Sequence, residues 1–170
     1  QPASSDAGTA IGAAMYAAKQ LGENIKNPLK NVYAGPGFSN EEIHLILKNC
    51  RVNYQKIDNP VQEAAKLLEE GKIIAWFQGR MEFGARALGN RSILANPTSL
   101  NIKDKVNKEV KYRESWRPFC PSLIEDVKEN YIENPNESSF MTVAYHIKKG
   151  MKEKVKSVVH VDNTIRPQVV

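Results

Sequence analysis

The chain has 170 residues, of which 41% are hydrophobic and 25% charged, which excludes intrinsic disorder and suits one globular domain, alone or with a piece of another. No apolar run approaches the ~20 residues of a membrane-spanning helix, and Cys50 and Cys120 fit no CxxC or zinc spacing, so the reading is two reduced thiols in a cytoplasmic protein. The net charge of +5 is concentrated: between Arg80 and Arg117 stand nine basic residues against four acidic ones, with five of the chain's seven arginines, a density of planar forks that points to an anionic ligand and leaves nucleic acid open.

In chain order, residues 8–21 predict an Ala-rich helix stopped by Gly22. Residues 22–38 have the Gly, Asn and Pro density of a loop, with Val32-Tyr33 a short strand candidate. Ser39 and Glu42 form a capping box that opens a helix through Leu47. Residues 52–57 read as a strand. Asn59-Pro60 then opens a helix with Val61, Ala64, Ala65 and Leu68 on one face and Gly71 at its end. The apolar run 73–77 predicts a central buried strand, and Ile93–Ala95 a second strand. A polar helix over 99–110, a short strand within 117–124 and a short helix over 125–132 follow. Alternation over 141–147 predicts a half-buried strand, 148–156 a basic segment of a helical turn or two, and 158–161 another strand. The mixture defines an α/β chain with a mixed, twisted sheet and flanking helices.

Three segments carry chemistry. In the first, Gly79, Gly84 and Gly89 recur behind the apolar strand, interleaved with Arg80, Arg86 and Arg91. Such a loop can expose main-chain amides as an anion-binding concavity, or it can be a structural loop. It matches neither a Walker loop nor a dinucleotide fingerprint. In the second, an extended chain would put Lys111, Arg113, Ser115 and Arg117 on one face, either around an anion or as a solvated basic edge. In the third, an extended chain would turn His160, Asp162, Thr164 and Arg166 one way, as a polar site or as an exposed strand face. Glu82 and Glu114, each between arginines, are read as orienting them by salt bridge. His44, His146, Trp76 and Trp116 are read as surface or packing residues.

At these residues the sequence resembles the nodulation-type O-carbamoyltransferases. The runs GRMEFGARALGNRSILANP, KYRESWRPFCPS and HVDNTIRPQVV carry the likeness, and SSDAGTAIGAAMYAA resembles the end of that family's actin-like first domain. Ala85 stands where the family usually has Pro, Cys120 where it has Ala, and Asn163 and Pro167 depart from the usual HVDGTARVQ; the later NTSFN-type segment is not in the sequence. The resemblance implies a division into residues 1–57, the tail of the actin-like domain with a linker, and residues 58–170, a YrdC-like domain, with the fold incomplete at both ends.

It also implies a reaction. Carbamoyl phosphate and ATP, with Mg2+ on the nucleotide, form carbamoyl adenylate, and the carbamoyl group passes to a hydroxyl of a small-molecule or saccharide acceptor. Carried over by motif, Arg86, Lys111, Arg117 and Arg166 form a catalytic clamp. Arg80, Asn90, Arg91, Ser92 and Arg113 surround it, with His160 and Asp162 in support. Asp6 matches a ligand of a transition metal, iron-type, whose histidine partners belong to the first domain. The four clamp cations are expected to converge on one pocket. The alternatives are a threonylcarbamoyl-adenylate synthase relative acting on tRNA, which carries a different signature, and a nucleic-acid module, which the lack of interleaved aromatics disfavours. No nucleic-acid or membrane partner is expected. The N-terminal helix is expected to leave an apolar face that recruits a second copy or docks on the 59–170 part.

Overall fold

The computed structural model describes residues 2–3, 5–25 and 29–170. Three helices come first: α1 (Asp6–Gln20), α2 (Asn40–Asn49) and α3 (Pro60–Glu69). Their boundaries follow from local chemistry. The Ser39 hydroxyl accepts from the Glu42 amide at 3.2 Å while the Glu42 carboxylate accepts from the Ser39 amide at 2.7 Å, the reciprocal capping box. Asn59 Oδ1 caps α3 by accepting from the Gln62 amide at 3.1 Å. All three helices close with the same pair of main-chain bonds, the residue two past the C-cap donating five residues back. Glycine supplies the required left-handed residue at Gly22 and Gly71, with φ of 84° and 78°; at α2 the position is Arg51, φ 53°. None of the three helices contributes a buried residue.

The strands are short. β1 (Ile74–Phe77) and β2 (Arg91–Leu94) form an antiparallel hairpin, Ile74 opposite Leu94 and Phe77 opposite Arg91. Next, α4 (Ile102–Lys105) runs on into a π-helical turn over Val106–Val110. β3 (Ser122–Leu123) leads to a 3-10 turn and α5 (Lys128–Tyr131). β4 (Tyr145–His146), a 3-10 segment over Lys152–Val158, β5 (Thr164–Ile165) and β6 (Gln168–Val169) complete the chain. β3 pairs with β6 in parallel and β4 with β5 antiparallel. The main buried cluster joins Leu123, Ile132, Tyr145, Ile147 and Ile165, with Val127, Tyr131, Met151, Val155 and Val159 packed on it.

The α/β class stands, but among the described residues the strands make three separate two-stranded ladders rather than one sheet. β1 forms where the apolar run predicts it, yet it is not a central strand: it has one partner, and its side chains alternate between half-buried and exposed. No strand forms at 52–57, because Tyr54 turns back on α2 and its hydroxyl bonds His44 Nδ1 at 2.6 Å. Residues 32–33 are not a strand either, although main-chain bonds tie 32–36 to 81–83. This approach is close enough that a Cβ on Gly35 would sit 2.9 Å from the Met81 carbonyl oxygen. Pairing within 141–147 is confined to Tyr145 and His146, with a bridge from Ile147 to Ile132; Met141 takes a positive φ of 54°. The predicted strand at 158–161 is the end of a 3-10 segment followed by a reversal, described below.

Candidate functional site

The glycine-rich loop does bind an anion through its amides, and the anion is the chain's own Glu82. One carboxylate oxygen accepts from the amides of Leu88 (2.7 Å), Asn90 (2.8 Å) and Arg91 (3.1 Å). The other accepts from Arg91 Nε at 2.9 Å. Burial on its own would raise this carboxyl, but the Leu88 and Asn90 amides and the Arg91 fork outweigh it and hold it down to about 2. The sequence-predicted residues of the loop fall into place around this centre. Arg91 also reaches the Glu82 carbonyl at 3.0 Å, Ser92 accepts from the Gly89 amide at 3.1 Å, and Asn90 Nδ2 donates to the Arg80 carbonyl at 2.7 Å. Arg80 donates to the carbonyls of Gly35 (2.8 Å) and Ala34 (2.9 Å), pinning the N-terminal loop. Arg86, half-buried, meets the Pro2 carbonyl at 3.4 Å.

Residues 111–117 are not extended. Tyr112 has φ 48° and the segment curls around Asn107, which is fully buried. Asn107 Oδ1 accepts from Arg113 Nε at 2.7 Å, and its Nδ2 donates to the carbonyls of Ser115 (3.3 Å) and Arg117 (3.0 Å). The Arg113 guanidinium lies 4.7 Å from the Phe119 ring centre. Arg117 pairs with Glu114 at 3.0 Å and lies 5.7 Å from the Trp116 ring centre. Lys111 is exposed at the end of the π turn. Asn107 is not marked in the sequence: it stands between Val106 and Lys108 in a mixed apolar and charged segment that also holds Asn101.

Residues 160–164 form a reversal instead of an extended face. The His160 amide donates to the Thr164 carbonyl at 2.9 Å, and Asn163 takes the left-handed φ of 65°. Asp162 Oδ1 builds the turn, accepting from the Thr164 hydroxyl (2.7 Å) and amide (3.0 Å) and lying 2.9 Å from His160 Nδ1. The Thr164 hydroxyl foremost, then His160, hold the Asp162 carboxyl down to about 2. Arg166 follows and directs Nε and Nη2 at the Cys120 sulfur, at 3.4 and 3.5 Å. His160, Thr164, Arg166 and Cys120 thus line one cleft of about 230 Å³. A second cleft of about 230 Å³, mainly apolar and walled by Leu68, Ile93, Leu94, Ile102 and Val106, adjoins it and shares Phe119, Cys120 and Val158.

The three motif runs fold together. The Leu88 carbonyl accepts from Gln168 Nε2 and from the Tyr33 hydroxyl, both at 2.9 Å, while the Gln168 amide donates to the Pro121 carbonyl at 2.9 Å. The four clamp cations do not share a partner: Arg86 meets Pro2, Arg117 meets Glu114, Arg166 meets Cys120, and Lys111 is exposed. Asp6 is exposed in the first turn of α1, and among the described residues no three His, Cys, Asp or Glu side chains cluster as a metal set. Ser4 of the SSDAG run and residues 26–28 of the predicted loop lie outside the described residues. No helix among those described is long and apolar enough to cross a membrane.

The family model for the carbamoyltransferase C-terminus matches residues 65–170. An uncharacterised protein of Methanocaldococcus jannaschii is 42% identical over 99% of this chain, which covers 29% of that protein. Nodulation protein NolO of Bradyrhizobium diazoefficiens is 40% identical over all of the chain, covering 32% of its own length. Nodulation protein U of Rhizobium tropici is 34% identical over 99% of the chain, covering 28% of its own length. The chain belongs to the carbamoyltransferase family, in the C-terminal part that the model describes. It spans about a third or less of the length of these relatives.

Proposed function

We propose that this chain is the part of a carbamoyltransferase that makes carbamoyl adenylate from carbamoyl phosphate and ATP, for transfer to a hydroxyl of a small-molecule or saccharide acceptor. The observation that carries this reading is the pair of adjoining clefts. An adenylate has a flat apolar base and an anionic phosphoryl group, and one cleft is apolar while the other presents Arg166, His160 and Thr164 across a shared wall. Arginine forks stabilise charge spread over phosphoryl oxygens as a bond to phosphorus breaks. Lys111, Arg117 and Arg86 are the further cations that the reading assigns to the substrates. On this reading residues 58–170 are the YrdC-like unit and residues 1–57 belong to the neighbouring acceptor domain.

Atom balance fixes the stoichiometry. Carbamoyl phosphate, ATP and one water give carbamoyl adenylate, one phosphate and one pyrophosphate. Arg166 and His160 would bind the leaving oxygens, and the apolar cleft would orient the base. Asp6 alone does not make a metal site. A nucleic-acid role is disfavoured because Arg80 and Arg91, which the reading does not assign to the substrates, spend their guanidinium bonds within the fold. The test is pyrophosphate release from ATP by the full-length protein without acceptor. Release that requires carbamoyl phosphate, with carbamoyl adenylate identified by mass, is expected. Arg166→Ala should cost on the order of ten- to hundredfold in kcat/KM, as for a lost charge-assisted hydrogen bond. Pyrophosphate release indifferent to carbamoyl phosphate, or none at all, overturns the reading.

A further inference from the structure

Residues 111–117 carry two of the cations assigned to the phosphoryl substrates, Lys111 and Arg117, with Arg113 between them. Among the described residues, every hydrogen bond from 112–117 to another part of the chain ends on Asn107. Its main-chain carbonyl accepts from the Arg113 amide at 3.0 Å, its Oδ1 holds Arg113 Nε, and its Nδ2 takes the carbonyls of Ser115 and Arg117. The side chain uses both donors and an acceptor while wholly removed from solvent, so it has one orientation that satisfies it. It sits on the π-helical turn, whose extra residue lets the Lys111 amide bond Val106 at 2.9 Å and sends the chain back over Asn107.

We propose that Asn107 is a positioning residue: it sets the path of residues 111–117 and so fixes where Lys111, Arg113 and Arg117 stand when a phosphoryl substrate binds. Buried as it is, it touches no substrate and acts only through the segment. The inference rests on the adenylate-forming reading above. It adds a residue that contributes no charge and determines the placement of three.

The experiment uses the full-length protein and two variants. Asn107→Ala removes the whole anchor. Asn107→Asp keeps the size and the acceptor for Arg113 Nε, loses both donors, and leaves no cavity, so it remains informative where the alanine variant fails to fold. Amide hydrogen exchange without substrate reads the segment itself. Exchange over 111–117 should quicken by about tenfold or more while the 132–147 region is unchanged. Steady-state pyrophosphate release then reads the consequence, with KM for carbamoyl phosphate or ATP rising on the order of tenfold or more. Gly22→Ala, strained at the left-handed turn after α1 and lining neither cleft, serves as the destabilised control and should leave KM unchanged. Combining Asn107→Ala with Arg117→Ala should give less than the product of the two single effects, since one acts through the other. Unchanged exchange over 111–117, a KM that moves equally in the Gly22 control, or strict multiplicativity would each overturn the proposal. If the wild-type protein shows no carbamoyl-phosphate-dependent release, the functional reading falls and the catalytic half of this inference falls with it. The exchange data then identify Asn107 as a structural anchor.

Discussion

Glu82 is the residue on which the glycine-rich loop turns. Three amides and a guanidinium converge on a carboxylate with no exposed side-chain surface. Glu82→Gln keeps the shape but removes the charge that those donors face, and should cost roughly 1.5–3 kcal/mol, the range for hydrogen bonds to a charged group. Its pH dependence follows from the lowered carboxyl. The contribution is full above the ordinary glutamate value near 4.5 and fades as pH falls towards about 2. Urea unfolding between pH 6 and roughly 2.5 checks this: the stability gap between wild type and variant should narrow on acidification, and a constant gap would refute it. The sequence made Glu82 legible as a partner of an arginine. It could not reveal that the amides of the same loop were already committed, since which amides a concavity presents depends on φ angles, and only the glycine spacing was visible. Asn107 was less legible still, because a buried amide has no charge or periodicity to mark it.

At the scale of elements, the signals that worked were local ones. Capping boxes, Pro at a first turn and Gly past a last turn act within a few residues, so Ser39, Asn59, Gly22 and Gly71 could be read directly. Strands depend on partners elsewhere in the chain, and two of the expected ones found none. The VNYQKI segment bonds α2 through Tyr54, and the alternation after Val158 is overridden by an Asp-Asn turn signal that outcompetes extension. One helix end departs from the rule that the others follow. Arg51 holds the left-handed position after α2 with φ 53°, which costs an L-residue about 1–2 kcal/mol. Arg51→Gly relieves this strain and gives back some unfolded-state entropy, for a net gain of about 0.5–1 kcal/mol. Thermal unfolding followed by far-UV circular dichroism should show a higher midpoint for the variant; a lower one would mean that the Arg51 side chain contributes more than its backbone costs.

Across the whole molecule, burial is divided unequally along the chain. The apolar cluster is drawn from residues 123–165, while α1, α2 and α3 contribute no fully buried residue and α1 and α2 leave Met15, Tyr16, Ile43, Leu45 and Ile46 exposed. α3 packs on β1, whereas the residues before it reach the rest through loops: Val32 and Ala3 are buried, Arg80 holds residues 34 and 35, and Arg86 meets Pro2. The cost of a truncation should therefore depend on which half carries it. Ile132, fully buried, should lose about 2–5 kcal/mol as Ile132→Ala. Ile46→Ala, on a half-exposed site, should stay within about 0.5 kcal/mol. Urea midpoints of this chain decide between unequal and equal costs. Equal costs would mean that the α2 face is covered in solution, by a second copy or by its own chain, and sedimentation at two concentrations separates these: a mass that rises with concentration identifies the copy, and a constant monomer mass identifies the fold-back. Unequal costs leave that face as apolar surface on a chain about a third or less of its relatives' length, beside the loop contacts that position the glycine-rich run.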